Sequence, residues 1–303
     1  MRKSLQLQAD MLDEFGACVF DVTLDCEDGA PVGGEADHAA MVVALAAEAS
    51  RQSGRRARVA VRVHAVDHPS FEADMAAVAG RASHFLCHIM VPKVESVRDV
   101  DRAEQALLAA SAGHLPLHVL VESPAAVHQA FEIAAHARVQ SISFGLMDFV
   151  SSHGGAIPAS AMSSHGQFTH PLVVRAKLEV ASACHALGKT PSHCVVTEFK
   201  DPDALMMAAR QAAQKLGYTR MWSIHPSQIR PILAAFSPTE GEIENATKII
   251  AAAEAVQWAP IGFDGKLHDR ASYRYFWQVL VRAHRTGCVL PAESQRYFSA
   301  EPH

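Results

Sequence analysis

Val119-Leu120-Val121-Glu122-Ser123-Pro124 is an apolar run of strand-forming residues that ends on a carboxylate and is closed by a proline. Twenty-six residues on (148 − 122 = 26), Ser141-Ile142-Ser143-Phe144-Gly145-Leu146-Met147-Asp148 repeats the pattern. A helix-length segment, Ala125 to Ala137, lies between them. Two buried parallel strands that each deliver an acid at the C-terminal end are how an α/β barrel builds a site for a hard cation. The competing reading makes Glu122 and Asp148 helix-start residues, where acids are also favoured. Recurrence of the acid at the same relative position favours the site.

The same alternation extends in both directions. Val19 to Gly29 reads as a strand ending in an acidic turn, and Ala39 to Ala49 as a helix with Gly54 just beyond it. A strand at Arg58 to His64 is followed by a helix at Phe71 to Ala79, closed by Gly80. A strand at Phe85 to Glu95 is followed by a helix at Asp99 to Ala112, closed by Gly113. Beyond Asp148 come a helix at Pro171 to Leu187 ending at Gly188, a strand at Cys194 to Phe199, a helix at Asp201 to Leu216 ending at Gly217, and a last strand at Met221 to Pro226. Short, almost wholly apolar strands are buried on both faces, as in a parallel sheet. The glycines fall just past the helices, where a left-handed residue is wanted.

Strand and helix repeated this often mean α/β. Seven strands are visible, whereas a closed barrel needs eight. Only Arg2 to Leu7 is available for the missing one, so the first strand is expected to be short or degenerate. An open doubly wound sheet is the rival, but its Gly-x-Gly-x-x-Gly phosphate loop is absent. The expected fold is a TIM (β/α)8 barrel over residues 1–235, with a C-terminal helical extension over residues 236–303. That extension carries helices at Ile243 to Val256 and Ser272 to Ala283, joined by the Pro/Gly-rich loop Ala259 to Asp269. The Gly-, Ser- and His-rich loop Ser151 to Thr169 is expected to lie over the active face, since loops this long in compact domains usually serve function.

Composition narrows the function. The 303 residues are 49% hydrophobic and 19% charged, ordinary for a soluble globular protein. A formal net charge of −5 argues against nucleic acid or an anionic membrane surface as the partner. The N-terminus is basic without an apolar core, so it does not read as a secretory signal. No apolar run approaches the ~18–20 residues that span a bilayer. Six scattered cysteines without a Cys-x-x-Cys pair suit reduced thiols and a cytoplasmic location. Eighteen histidines include no His-Glu-x-x-His, and His84 and His88 sit four apart at a strand, where that spacing makes no ligand pair.

Together the strand ends present Glu27, Asp28, Arg62, Lys93, Glu95, Glu122, Asp148 and His225. Acids for a cation and bases for an anion make a polar pocket. Mg²⁺ suits it, because that ion takes one or two carboxylates and completes its octahedron with water and substrate oxygens. Zn²⁺ would want His or Cys at tight spacing. The planar fork of Arg62 suits a carboxylate or a developing oxyanion. Blander readings stand beside these: Glu27-Asp28 as a helix-start pair, Lys93 and Glu95 as mutual counter-charges, His225-Pro226 as a rigid turn.

Leu24-Asp25-Cys26-Glu27-Asp28-Gly29-Ala30 resembles the acidic motif of the citrate lyase beta-subunit and malyl-CoA lyase group within the HpcH/HpaI aldolase superfamily. Val61-Arg62-Val63, Val91-Pro92-Lys93-Val94-Glu95-Ser96, Val121-Glu122-Ser123 and the Gly145 to Asp148 segment are similar to later motifs of that group, in order. So are Phe199-Lys200-Asp201-Pro202, Ile224-His225-Pro226-Ser227-Gln228-Ile229 and Phe236-Ser237-Pro238-Thr239. The resemblance covers roughly residues 20–285. It implies a Mg²⁺-dependent carbon–carbon lyase on a TIM barrel, acting on 3-hydroxyacyl thioesters such as citryl-, malyl- or citramalyl-CoA.

By position, the resemblance makes Glu122 and Asp148 the metal ligands, with Glu27 and Asp28 in the outer shell. Arg62, Lys93 and His225 would bind substrate, and Arg62 would stabilise the enolate oxygen. Asp269 resembles the group's C-terminal acid, which reaches a neighbouring subunit's site, and that implies a homo-oligomer, a trimer or a multiple of one. The chain departs from the pattern at its first strand, at His64 where the group usually has Asn, and after Asp148, where a second acid is replaced. Two other functions stay open: an aldolase acting on free 2-oxo acids such as pyruvate, and a non-catalytic barrel serving a larger complex.

Overall fold

The computed structural model describes residues 1–29, 31–53 and 57–298; Ala30 and Gly54 lie outside them. The chain opens with helix α1 (Arg2–Phe15), then strand β1 (Val22–Asp25), α2 (Glu35–Ser53) and β2 (Val59–Arg62). Next come α3 (Phe71–Asp74), a π turn over Met75–Ala79 and α4 (Gly80–Ala82), leading to β3 (Leu86–Val91). Helix α5 (Val97–Ala109) precedes β4 (Leu117–Val121), and the short helices α6 (Pro124–His128) and α7 (Ala130–Ala135) precede β5 (Val139–Phe144). Helices α8 (Leu146–Ser151) and α9 (Pro171–Ala186) follow, then β6 (Thr190–His193), α10 (Pro202–Lys215) and β7 (Arg220–Met221). The chain ends in α11 (Ile229–Phe236), α12 (Glu240–Ala255), a hairpin of β8 (Ile261–Phe263) and β9 (Lys266–His268), α13 (Arg270–Arg285) and α14 (Ala292–Gln295).

Strands β1 to β7 form one parallel sheet whose spatial order is the chain order. A sheet that never reverses its order, with right-handed crossovers, puts the helices that connect its strands on one face and must curl to cover the other. The helix-covered face is aliphatic: Val22, Leu24, Val59, Val61, Ile89, Leu117, Val119, Val121 and Ile142 share one core with residues of α2, α5 and α9. Alternate positions turn to the concave side. There the chain places His88, His118, Ser141, Ser143 and Ser192, all buried. Side chains bring the sheet's edges together, since Arg220 of β7 pairs with Asp21 ahead of β1 at 2.8 Å. The result is a curled, half-barrel α/β fold of the TIM type.

The structure corrects the sequence reading in several places. Arg2 to Leu7 is helix, and no eighth strand joins β7 to β1 among the described residues. The reason is local: Met1 to Phe15 contains no β-branched residue, and Gly16 closes the helix in the left-handed conformation at φ 69°. Gln8 of α1 donates to the carbonyls of Phe20 (2.8 Å) and Arg58 (2.9 Å), so the helix seals the lower rim instead of extending the sheet. Strand β6 lies at Thr190–His193, and Cys194 to Phe199 runs on without a ladder. Strand β5 ends at Phe144, so Asp148 stands in the first turn of α8 and not at a strand end. The 71–82 helix continues through Gly80, at φ −65°, by way of the π turn. The expected loop before Asp269 is a hairpin turned by Asp264 and Gly265 with positive φ (49° and 72°), as a two-residue Asp-Gly turn requires. A third hydrophobic cluster is built from residues of the C-terminal segment alone, Ile243 to Phe298.

Candidate functional site

The C-terminal ends of β1 to β4 bring the expected charges together. Arg62, last residue of β2, is opposite Asp25, last residue of β1. Its Nε and Nη2 grip both Asp25 oxygens at 2.7 Å each. Nη1 pairs with Glu27 at 2.8 Å and Nη2 with Asp28 at 3.0 Å. Trp222, just past β7, lies 5.4 Å from the guanidinium across its ring. Burial opposes the charge on Arg62, but the bond and charge of Asp25, then Glu27 and Asp28, outweigh it and raise its pKa. Burial likewise pushes Asp25 up, yet Arg62 and two backbone donors hold it below the ordinary carboxylate value. One guanidinium thus serves three carboxylates, of which Asp28 is the exposed one, with three-quarters of its side chain open.

Glu122 follows β4 directly and is 6% exposed. Its Oε1 accepts from the backbone N–H of Lys93 at 2.7 Å. Lys93 is held at φ 52°, a left-handed conformation uncommon outside glycine, which aims that N–H at the carboxylate. The Lys93 ammonium pairs with Glu27 at 2.8 Å, not with Glu95, and that hydrogen bond raises its pKa despite partial burial. Glu95 instead accepts from Ser123 Oγ at 2.6 Å, while Ser123 caps α6 ahead of Pro124.

Burial pushes the Glu122 carboxyl up to about 7; the Lys93 N–H opposes this, and the negative charges of Asp148 and Glu27 reinforce it. Gly145 makes room for this group, since a Cβ there would run into the Glu122 carboxylate. Buried Glu122, with Asp148 and Glu27 acting on it and one lysine above, is short of positive charge. Such a set of hard oxygen donors fits a divalent cation chemically.

Two expected residues stand apart in their contacts. His225 is exposed; its Nδ1 bonds with Ser227 Oγ at 2.7 Å, and its ring stacks on Phe199 at 5.6 Å. Asp269 caps α13 through Oδ1, accepting from Ala271 N at 2.9 Å and Ser272 N at 3.3 Å, beside a cleft lined by Trp258 and Pro260. Three members of the constellation are absent from the set read off the sequence: Asp25, Gly145 and Trp222. Strand parity holds a signal for Asp25, because an acid ending β1 must neighbour the arginine ending β2. Trp222 carries none, since its position depends on how far the sheet curls.

Among the described residues, the group of His, Cys, Asp and Glu whose ligand atoms all lie within 4.8 Å of one another is a different one, Asp21, Cys87 and His88, at the opposite end of the strands. Arg58 and Arg220 already engage both Asp21 oxygens, and two guanidiniums there disfavour a cation. It is an ion-pair hub closing the lower rim.

The HpcH/HpaI aldolase/citrate lyase family model matches residues 5–226. An L-malyl-CoA/beta-methylmalyl-CoA lyase of Cereibacter sphaeroides is 30% identical over 245 residues, 75% of this chain and 76% of that protein. A solved citrate lyase of Burkholderia xenovorans LB400 is 45% identical with a TM-score of 0.81, covering 96% of this chain and 91% of the other. The CitE protein of Mycobacterium tuberculosis, solved with magnesium, acetoacetate and coenzyme A, is 25% identical with a TM-score of 0.65, covering 91% and 95%.

Proposed function

Because the chain belongs to the HpcH/HpaI aldolase/citrate lyase family and is a carbon–carbon lyase, we propose that it cleaves, reversibly, a 3-hydroxyacyl thioester such as malyl-, citramalyl- or citryl-CoA with Mg²⁺ as cofactor. The observation that carries this reading is Glu122, buried at the end of β4 where Gly145 makes room for it, under the charges of Asp148 and Glu27 and close to an arginine clamp that holds Glu27. Glu122 and Asp148 would hold the ion, with Glu27 and Asp28 around them. When bound, the ion would neutralise these carboxylates and polarise the oxygens of the 2-oxo acid half.

The chain's own residues supply the rest. A base takes the proton from the C3 hydroxyl, the C2–C3 bond breaks, and C3 leaves as the carbonyl carbon of an oxo acid. The electron pair stays on the acyl half as a thioester enolate, and Arg62 stabilises its oxygen; one such donor is worth roughly 10²–10³ in rate. Return of a proton to C2 completes the acyl thioester. A substrate oxygen reaches Nη2 of Arg62 by displacing Asp28, the exposed partner. Residues 1–235 form the catalytic unit. Residues 236–303 form an extension that carries Asp269 as the proton-transferring acid to a neighbouring subunit, in a trimer or a multiple of one.

Calorimetric Mg²⁺ titration of the wild type, Glu122→Ala and Asp148→Ala, with turnover of the three thioesters beside pyruvate plus a free aldehyde, tests the reading. Undiminished Mg²⁺ binding in either variant removes that residue from the site. Turnover of pyruvate and aldehyde alone replaces the thioester with free 2-oxo acids.

A further inference from the structure

Lys177 of α9 is fully buried, yet no carboxylate among the described residues pairs with it. Its ammonium meets neutral groups: an amide oxygen, a ring nitrogen, an aromatic face and the Cys194 thiol. Nζ donates to Gln167 Oε1 at 2.7 Å and to His193 Nε2 at 2.9 Å, and it lies 4.3 Å from the centroid of the Phe168 ring. The tautomer of His193 suits it as an acceptor. Its Nδ1 faces the Cys194 carbonyl at 3.1 Å, so Nδ1 carries the proton and Nε2 is left with a free lone pair. The Phe168 and His193 rings stack at 5.4 Å and 6°. Burial draws the Lys177 pKa down to about 8, with Cys194 opposing it. A buried ammonium without an acid lowers stability, and a hydrophobic residue of similar length would not.

Gln167 and Phe168 belong to the return leg of the segment that leaves α8 and enters α9. Its two short 3₁₀ turns, Ala159–Met162 and Gly166–Phe168, interlock so closely that a Cβ on Gly166 would meet the Ser160 carbonyl. The first turn packs on α8, and the second on α9. Ser164 ties the same leg to Glu198 through its N–H at 2.9 Å. A continuous path of packing therefore runs from the ammonium through both turns to the helix that carries Asp148.

We propose that Lys177 is a positioning residue that clamps the 159–168 segment, and through it sets α8 and the Asp148 carboxylate against Glu122. The part concerning Asp148 rests on the proposed Mg²⁺ site. The clamp itself does not.

The test compares wild type with Lys177→Met and Lys177→Arg by amide hydrogen exchange over 159–168, thermal melting and Mg²⁺ calorimetry. Lys177→Met is expected to exchange at least tenfold faster in that segment and to bind Mg²⁺ about tenfold more weakly, although it melts no lower than wild type. Lys177→Arg is expected to recover part of the protection. A merely structural lysine would instead lower the melting temperature and leave segment exchange and Mg²⁺ affinity in step with global stability. Unchanged exchange over 159–168 overturns the clamp, and faster exchange with unchanged Mg²⁺ affinity overturns its link to Asp148. If the wild type binds no Mg²⁺, the metal reading fails while the exchange comparison still judges the clamp. Should Lys177→Met not fold, Gln167→Leu removes one acceptor and must give the same exchange pattern.

Discussion

Replacing Glu122 with Gln should make the metal-free protein more stable at pH 8. The carboxyl stands at about 7 against an ordinary 4.5, because it is buried and repelled by Asp148 and Glu27. The folded state therefore holds a proton that the unfolded chain releases between pH 4.5 and 7. That stabilisation is fully present below 4.5 and is lost as pH rises through 7. At about 1.4 kcal/mol per pH unit, the gap amounts to roughly 3 kcal/mol by pH 8. Gln keeps the shape and the oxygen that accepts from Lys93 N, and it carries no charge. With ~2 °C per kcal/mol for a chain of this size, the variant should melt about 6 °C above wild type in chelator at pH 8. The difference should vanish toward pH 4.5. Saturating Mg²⁺ should raise the wild-type melting temperature and leave Glu122→Gln unmoved, since only the charged acid binds the ion. Melting curves from pH 4.5 to 9, with and without Mg²⁺, decide the matter. Equal melting of the two proteins at pH 8 without metal would refute the reasoning, for Glu122 would then be neither buried as a charge nor repelled.

Other outcomes follow from the same geometry. Arg62→Lys should lower kcat/KM nearly as much as Arg62→Ala, by about 10²–10³, because one ammonium cannot hold both Asp25 oxygens and Glu27 while still donating to the substrate oxygen; a Lys variant retaining most activity would reduce Arg62 to a point charge. Gly145→Ala should cost about 1–3 kcal/mol of stability and weaken Mg²⁺ binding, since the new methyl displaces the Glu122 carboxylate; melting and calorimetry read both. Mixing inactive Asp269→Ala with inactive Glu122→Ala and allowing subunit exchange should restore activity, because some sites then hold both acids; a dead mixture after verified exchange confines Asp269 to its own subunit or to its capping role.

The fold is legible in the sequence where the physics is local. The β4 and β5 segments announce themselves as apolar runs, and the glycines past α9 and α10, at φ 66° and 73°, mark the helix ends directly. Arg2 to Leu7 reads as a strand only when the count of strands outweighs composition; across Arg2–Phe15, leucine, glutamine and methionine without a β-branched residue make a helix. Strand β6 is displaced onto Cys194–Phe199 in the sequence because Pro191 discourages a strand, although its carbonyl still accepts from Thr219 N at 3.3 Å. In the site, Arg62, Glu122, Glu27, Asp28 and Lys93 can be picked out because polar residues at strand ends need a reason. Lys177 cannot: in the sequence it is one more cation in a helix, and its burial comes from Gln167, Phe168 and His193, which only the tertiary fold brings to it.

The central claim is tested most directly by following both possible products when the protein meets malyl-CoA. The oxo-acid product is trapped as its phenylhydrazone, and free thiol is measured in parallel, each with Mg²⁺ and with chelator. The carbonyl product should form with the thioester intact, and it should disappear when Mg²⁺ is withdrawn. Release of free thiol without carbonyl product would make the chain a thioester hydrolase, and cleavage that persists undiminished in chelator would contradict the role given to Glu122 and Asp148.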